Sequence, residues 1–371
     1  MDLSQAMQPI LLDWHYLYHY SLKINGTNLS EYTIVYAEYE GTEVMENNPD
    51  EASVTPDYEF NLYIAEELKS QLKKTFNVEL NIEKDTELAA GDYEILIGNT
   101  NRTHPLAVEL NEYSIFLYGD NVCINGGTPG AIWNSIDDFI NYAVGIAKSA
   151  GGNGDITDDM YLNEYVDMIE IACIGDSITA AWKSSNVEYF SWPSALQRIL
   201  WKDCVIHNFG VNGQDMRDDG KKPWKKNDAW TDCQAIAENL DYVLVMLGTN
   251  DSEHTPVFSD ADNLSFVNSF MGILDTLSAK NSKIKYTLMN TPKYYASANF
   301  AQPFIRELQL ECVSTAIAKG YDVKHFDMYT ASHEKIGIAN MPDGLHPDAK
   351  GYCMMGQIVA DMLEDFYNIK N

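Results

Sequence analysis

From residue 168 to residue 367 the chain repeats one alternation, a short apolar run followed by a segment with apolar residues at helical spacing. The strand-like runs are 168–174 (apolar apart from Glu170), 205–209, 242–247 (the most apolar in the chain), 284–289 and a short one at 321–326. A strand exposed on one face alternates apolar with polar residues, so largely apolar strands such as 168–174 and 242–247 read as buried on both faces. The intervening segments, at 194–201, 266–279, 304–319 and 347–367, have the spacing of helices. Strands alternating with helices argue a parallel sheet covered on both sides. Ligands of such sheets bind beyond the carboxyl ends of the strands, so the chemistry belongs where each strand stops.

The 371 residues amount to two or three domains at ~150 residues each. A Gly- and Asp-rich stretch at 149–159 has linker composition and divides the chain. This predicts an N-terminal domain over 1–155 and a second over 165–371. The first reads as a smaller α/β unit. It has strands at 32–37, 78–82 and 93–98, a helix at 59–76, a hairpin of 114–118 with 122–124, and a helix at 128–144 started by Pro129.

Charge narrows the function classes. With 25 basic against 55 acidic residues, the net charge of −30 repels phosphate backbones and anionic lipid, so nucleic acid is not an expected partner. No stretch approaches the ~20 apolar residues that span a bilayer, so no membrane insertion is expected. The first twenty residues lack a basic n-region and a clean apolar h-region, and so do not read as a signal peptide. Six cysteines form neither a CxxC pair nor zinc-finger spacing, and those at 173 and 204 sit in or beside strand-like runs. Reduced thiols and a cytoplasmic location are the expectation, with secretion the alternative if the recorded start lacks a native signal peptide. No HExxH or other ligand cluster is present, and neither metal nor cofactor is expected.

Four short motifs mark the strand ends and the start of the last helix. Gly175-Asp176-Ser177-Ile178-Thr179 ends the first strand, where a serine on a strand-to-helix turn can expose both its hydroxyl and its N–H. The second glycine of a GxSxG elbow is missing, and a helix-capping serine is the alternative. Asn208-Phe209-Gly210-Val211-Asn212-Gly213 ends the second, with two glycines that permit a tight turn presenting amides, or form a simple loop. Gly248-Thr249-Asn250-Asp251 ends the third, where a side-chain amide can donate to an oxyanion or close an Asx turn. Asp343-Gly344-Leu345-His346-Pro347 precedes the last helix. Its three-residue spacing lets a carboxylate orient a histidine general base, or leaves a capping Asp and a surface His.

Taken together and in this order, the four motifs resemble the SGNH hydrolases, the GDSL esterase/lipase superfamily, over residues 168–368. The one departure is Ile178 in place of leucine. The resemblance implies a flavodoxin-like three-layer α/β/α domain that works without metal. It implies Ser177 as nucleophile, His346 as general base and Asp343 as its orienting carboxylate. It implies an oxyanion hole of the Ser177 N–H, the Gly213 N–H and the Asn250 side chain. The second block alone leaves Gly210 open as the alternative to Gly213. Asp176 and Asp251 read as structural, and His254 as a solvated loop histidine or a pocket residue. More faintly, 22–27, 31–36 and 95–102 resemble the non-catalytic α/β domain that precedes α-glucuronidase and hexosaminidase barrels.

The expected function is a serine esterase removing small acyl groups, acetyl above all, from a small-molecule or carbohydrate ester. A lipase- or thioesterase-like enzyme of longer acyl preference and a non-catalytic carbohydrate-binding protein are the alternatives. Trp182, Trp192, Trp201, Trp224 and Trp230 could stack on sugars, though core packing is the commoner fate and at most one or two are expected at the cleft. Lys221–Lys226 reads as a solvated basic loop or a contact for an acidic group.

Overall fold

The computed structural model describes residues 20–38, 59–102, 108–157, 160–184, 186–295 and 302–370. They divide into two compact units, one of residues up to 165 without 128–130, the other from 166 onward with 128–130.

The first unit contains, in chain order, β1 (Ser21–Ile24), β2 (Thr27–Asn28), β3 (Thr33–Tyr36), α1 (Phe60–Phe76), β4 (Asn81–Lys84), β5 (Glu94–Ile97), β6 (Glu112–Tyr118), β7 (Asn121–Gly126), α2 (Pro129–Ser149), β8 (Asn153–Ile156) and β9 (Tyr161–Tyr165). Its larger sheet has the order β4-β3-β5-β7-β6-β9 and its smaller one β2-β1-β8. Helix α1 buries Ile64, Ala65, Leu68 and Leu72, the helical spacing read from sequence. The hairpin forms as expected, with Tyr118 opposite Asn121.

Two expectations shift here. The strand expected at 78–82 begins later, at Asn81, where the chain comes alongside Thr33. The stretch at 149–159 is not merely a linker: Asn153–Ile156 is a strand parallel to Ser21–Ile24. Its glycine has a packing reason, because a Cβ on Gly154 would lie 2.9 Å from the Ala147 backbone of α2. Pairing with a strand more than a hundred residues away gives no local signal. β9 likewise pairs with a strand that is not its neighbour in sequence, β6.

The second unit contains β10 (Ile169–Gly175), α3 (Val187–Phe190), α4 (Trp192–Ile199), β11 (Cys204–Gly210), α5 (Asp228–Ala235), β12 (Tyr242–Met246), α6 (Thr249–His254), α7 (Asp260–Ser278), β13 (Lys285–Met289), α8 (Gln302–Ala318), β14 (Val323–Phe326), α9 (Met328–Lys335) and α10 (Ala349–Tyr367). The sheet order is β11-β10-β12-β13-β14 and every pairing is parallel. This is the flavodoxin-like 2-1-3-4-5 order.

Alternate strand residues face opposite sides. Ala172, Ile174, Val243, Val245, Tyr286 and Leu288 pack with α7 and α8 on one face. Ile171, Cys173, Leu244, Met246 and Met289 pack with α4 and α10 on the other. Those two cores make the three layers and explain why the central strands β10 and β12 read as largely apolar. All six cysteines are free, and five of them are buried.

Capping sets two helix starts. The Ser191 hydroxyl accepts from the Ser194 N–H at 3.2 Å, starting α4 at Trp192, two residues earlier than expected. The last helix is capped by Asp348, which accepts from the Gly351 N–H at 2.7 Å, rather than started by Pro347. Strand order reverses beside β10, which lies between β11 and β12, so the crevice for a ligand opens at the carboxyl ends of these three strands.

Candidate active site

Three of the four motifs lie in that crevice as strand ends. Ser177 follows β10 by two residues, on a turn closed by the Ala180 N–H donating to the Asp176 carbonyl (3.0 Å) and the Trp182 N–H donating to the Ser177 carbonyl (2.8 Å). The second block docks onto this turn. The Asn208 amide donates to the Thr179 carbonyl at 3.2 Å. A Cβ on Gly210 would lie only 2.4 Å from the Ala180 nitrogen, so only glycine fits there.

The fourth motif comes from the turn before α10. The Ser177 Oγ lies 2.9 Å from His346 Nε2, and His346 Nδ1 lies 2.9 Å from Asp343 Oδ2. A carboxylate only accepts, so Nδ1 carries the ring proton and Nε2 is left to accept from the Ser177 hydroxyl. Asp343 Oδ1 takes the Leu345 and His346 N–H groups at 2.9 and 2.7 Å, and Oδ2 also takes Lys183 Nζ at 2.8 Å. Burial alone would push the Asp343 carboxyl up. The His346 N–H, the Lys183 ammonium, the His346 ring and the Leu345 N–H outweigh it and hold the group well below the usual carboxylate range.

The three backbone and side-chain donors named from sequence differ in their engagement. Among the described residues, neither the Ser177 nor the Gly213 N–H donates to a protein acceptor. Gly213 has φ +74°, a turn conformation natural to glycine. The Gly210 N–H is already committed to Asn208 Oδ1 at 3.0 Å. The Asn250 amide donates to Asp176 Oδ2 and to the Gln214 carbonyl, both at 3.1 Å. Both of its hydrogens are therefore engaged, and donation to a ligand requires one of these bonds to be released.

Beneath the crevice lie three buried aspartates. Asp176 Oδ1 accepts from the Ile178 N–H at 3.0 Å, and burial pushes its pKa up to about 7 against that bond. Asp251 accepts from the Met216 and Arg217 N–H groups at 2.7 and 3.0 Å, and burial likewise pushes it up to about 7. Both staple loops, as expected. Asp215 binds His254 Nδ1 at 2.7 Å and the Lys222 N–H at 2.7 Å. His254 is thus mostly buried and bonded to the Asp215 carboxylate, not a solvated loop histidine, because the fold brings it to a side chain 39 residues earlier.

The tryptophans sort by burial. Trp192 and Trp224 are fully buried and Trp201 nearly so, whereas Trp182 is 46% exposed just after the Ser177 turn. In the basic stretch, Lys225 pairs with Asp218 at 2.6 Å. Lys222 Nζ would lie 3.5 Å from a Cβ on Gly213. A separate cavity of about 130 Å³ lies between the ends of β12 and β13, lined by Thr249, Asn290, Ile305 and Arg306 among others, and does not include Ser177 or His346. Sequence reasoning missed Lys183, whose partner is 160 residues away.

Residues 173–353 match the model of the GDSL-like Lipase/Acylhydrolase family. The match lies within the second unit and takes in all four motifs. The chain is similar to the acetylxylan esterase of Xylanibacter ruminicola, 28% identical over 216 residues that cover 52% of this chain and 43% of that protein. The chain thus matches less than half the length of this relative. Similar solved structures include a putative arylesterase from Agrobacterium tumefaciens (20% identity, TM-score 0.42, 53% of this chain and 99% of that one). Another is a carbohydrate acetylesterase family member from Sinorhizobium meliloti (21% identity, TM-score 0.41, 53% and 98%). A third is a family two carbohydrate esterase from Clostridium thermocellum in complex with cellohexaose (16% identity, TM-score 0.42, 54% and 65%).

Proposed function

We propose that the protein hydrolyses acyl esters, acetyl esters of carbohydrate foremost, through Ser177, His346 and Asp343. The observation that carries the reading is the continuous chain of two 2.9 Å contacts from the Ser177 hydroxyl through His346 to Asp343. The carbohydrate and acetyl parts rest on the similarity to the acetylxylan esterase.

The chemistry follows from the tautomer. His346 Nε2 takes the hydroxyl proton as Ser177 Oγ attacks the ester carbonyl carbon. The carbonyl oxygen becomes an oxyanion, received by the two unengaged N–H groups of Ser177 and Gly213. Asn250 joins them by giving up one of its two bonds. The alkoxide leaves with the proton from His346, and water repeats the sequence on the acyl-enzyme to release the acid. Asp343 stays ionised throughout and stabilises the imidazolium.

The test is hydrolysis of p-nitrophenyl acetate, butyrate and octanoate by wild type and Ser177→Ala, followed by acetate release from acetylated xylan. Turnover is expected to be fastest on acetate and absent in the variant. Octanoate preference would redirect the substrate class to lipids or thioesters. Full activity in a clean Ser177→Ala preparation would remove the nucleophile.

A further inference from the structure

Among the described residues, Lys183 is the one side chain outside the four motifs that bonds a side chain of the Ser177–His346–Asp343 chain. Its ammonium lies 2.8 Å from Asp343 Oδ2, the same oxygen that receives His346 Nδ1 at 2.9 Å. Two features of the backbone bring it there. Ala181 and Lys183 adopt φ +55° and +70°, the left-handed region in which a non-glycine residue is disfavoured by roughly 1–2 kcal/mol. Such conformations persist only where the surroundings over-determine them. Here Ala181 is fully buried, the Ser184 N–H donates to the Ala181 carbonyl at 3.0 Å, and the Tyr352 hydroxyl of α10 donates to the Trp182 carbonyl at 3.2 Å. The strained turn therefore joins the nucleophile loop to α10 through Tyr352 and Trp182, and to the Asp343 turn through Lys183.

We propose that Lys183 is a positioning residue that fixes the Asp343 carboxylate so that His346 meets Ser177. The proposal rests on the triad reading above. Asp343 stands in a turn opened by Gly344 at φ +77°, with its side chain 26% exposed. Backbone N–H groups hold Oδ1 only. Without Lys183, Oδ2 is held by the imidazole alone, the group it is meant to orient. With Lys183 the carboxylate has four donors, two to each oxygen.

The geometric and electrostatic effects of the lysine have opposite signs. Holding Asp343 favours the productive orientation of His346. The ammonium charge, however, opposes the positive charge that forms on the imidazole when it takes the serine proton. The Tyr352 phenol of α10 also feels this carboxylate, along with Asp176 and Asp348, and none of these groups is a cation. Among the described residues, Lys183 is the only lysine or arginine paired with Asp343, beside the His346 ring.

Removing the cation thus makes two separable changes. In Lys183→Met, kcat on p-nitrophenyl acetate falls about ten- to a hundredfold, the scale of a small misplacement of a reacting group, with KM nearly unchanged. At the same time the acid limb of the kcat/KM profile moves to higher pH, because the imidazolium forms more easily. That shift shrinks in high salt, since Lys183 is about half exposed. Lys183→Arg keeps the charge and the donors, and restores both kcat and the position of the limb. Melting temperature, measured on the same preparations, confirms that each variant is folded.

Wild-type kcat and an unmoved acid limb in Lys183→Met would overturn the proposal. So would a fall in kcat with the limb unmoved, since that is what general loosening of the turn produces. Ser177→Ala runs beside them. Serine-independent turnover would refute the triad reading itself, whereas serine-dependent turnover unaffected by Lys183→Met refutes only the role of the lysine.

Discussion

Asn250→Ala separates a catalytic from a structural use of one amide. The side chain is 7% exposed and donates to Asp176 Oδ2 and to the Gln214 carbonyl, both at 3.1 Å. A neutral bond of this kind contributes about 0.5–1.5 kcal/mol net and one to a charged group about 1.5–3 kcal/mol, so the substitution costs stability of about 2–4 kcal/mol. A domain stable by roughly 5–15 kcal/mol stays folded at 25 °C after that loss. Catalysis loses more. One oxyanion donor is worth about 2.7–4 kcal/mol of barrier, which lowers kcat by about 10²–10³. The donor acts on the oxyanion rather than on the ground-state carbonyl, so KM is expected to change little. Initial rates on p-nitrophenyl acetate give kcat and KM, and a urea titration of the same preparation gives the stability change. A kcat within about threefold of wild type, alongside the loss of stability, would refute oxyanion donation and leave Asn250 as a brace between Asp176 and Gln214.

Gly210→Ala and Gly213→Ala are expected to differ in kind. The first places a Cβ 2.4 Å and 2.6 Å from the backbone of Ala180 and Thr179, so the Ser177 turn must move and both Tm and activity are expected to fall. The second meets only the Lys222 side chain, at 3.5 Å and 3.9 Å, and carries the roughly 1–2 kcal/mol of its left-handed φ, so its Tm falls less; the reverse order in thermal melts would refute the packing argument. Asp251 adds a pH dependence. Its folded pKa of about 7 lies above the unfolded value, so the folded state binds the proton more tightly and wild type gains stability as pH falls from about 7 towards 4. Asn cannot take up that proton, so the Tm difference between wild type and Asp251→Asn should shift in favour of wild type over this range; a difference independent of pH would sink the assignment.

What the sequence made legible was local. Strand ends such as Gly175–Ser177 and Gly248–Asp251 carry their chemistry within a few residues of an apolar run, and Asp343 and His346 share one turn. Their convergence on one crevice followed from the strand–helix alternation, because parallel strands bring their carboxyl ends to one edge. What was not legible depends on distant partners. Lys183 reads as an ordinary surface lysine until the fold brings Asp343 to it. His254 reads as a loop residue until Asp215 is beside it. The Gly-rich stretch at 149–159 reads as a linker because the strand it pairs with is Ser21–Ile24, at the other end of the unit. The engagement of Asn250 is also invisible in sequence, since Gln214 belongs to none of the four motifs.

The buried thiols make the protein its own reporter of local opening. Cys123 lies in β7 of the first unit, whereas Cys173, Cys204, Cys233 and Cys312 lie in the second. Burial pushes Cys123 up to about 11 and Cys204 and Cys233 up to about 12. Thiolate is the form that alkylating reagents attack, so at pH 8 the closed molecule offers them only about a thousandth of Cys123, and that fraction is shielded from the reagent. Labelling must wait for the surrounding strands to part, and its rate then tracks the population of opened molecules. Peptide mass analysis of a labelling time course reads Cys123 apart from the others, giving a clock for each unit without introducing a probe.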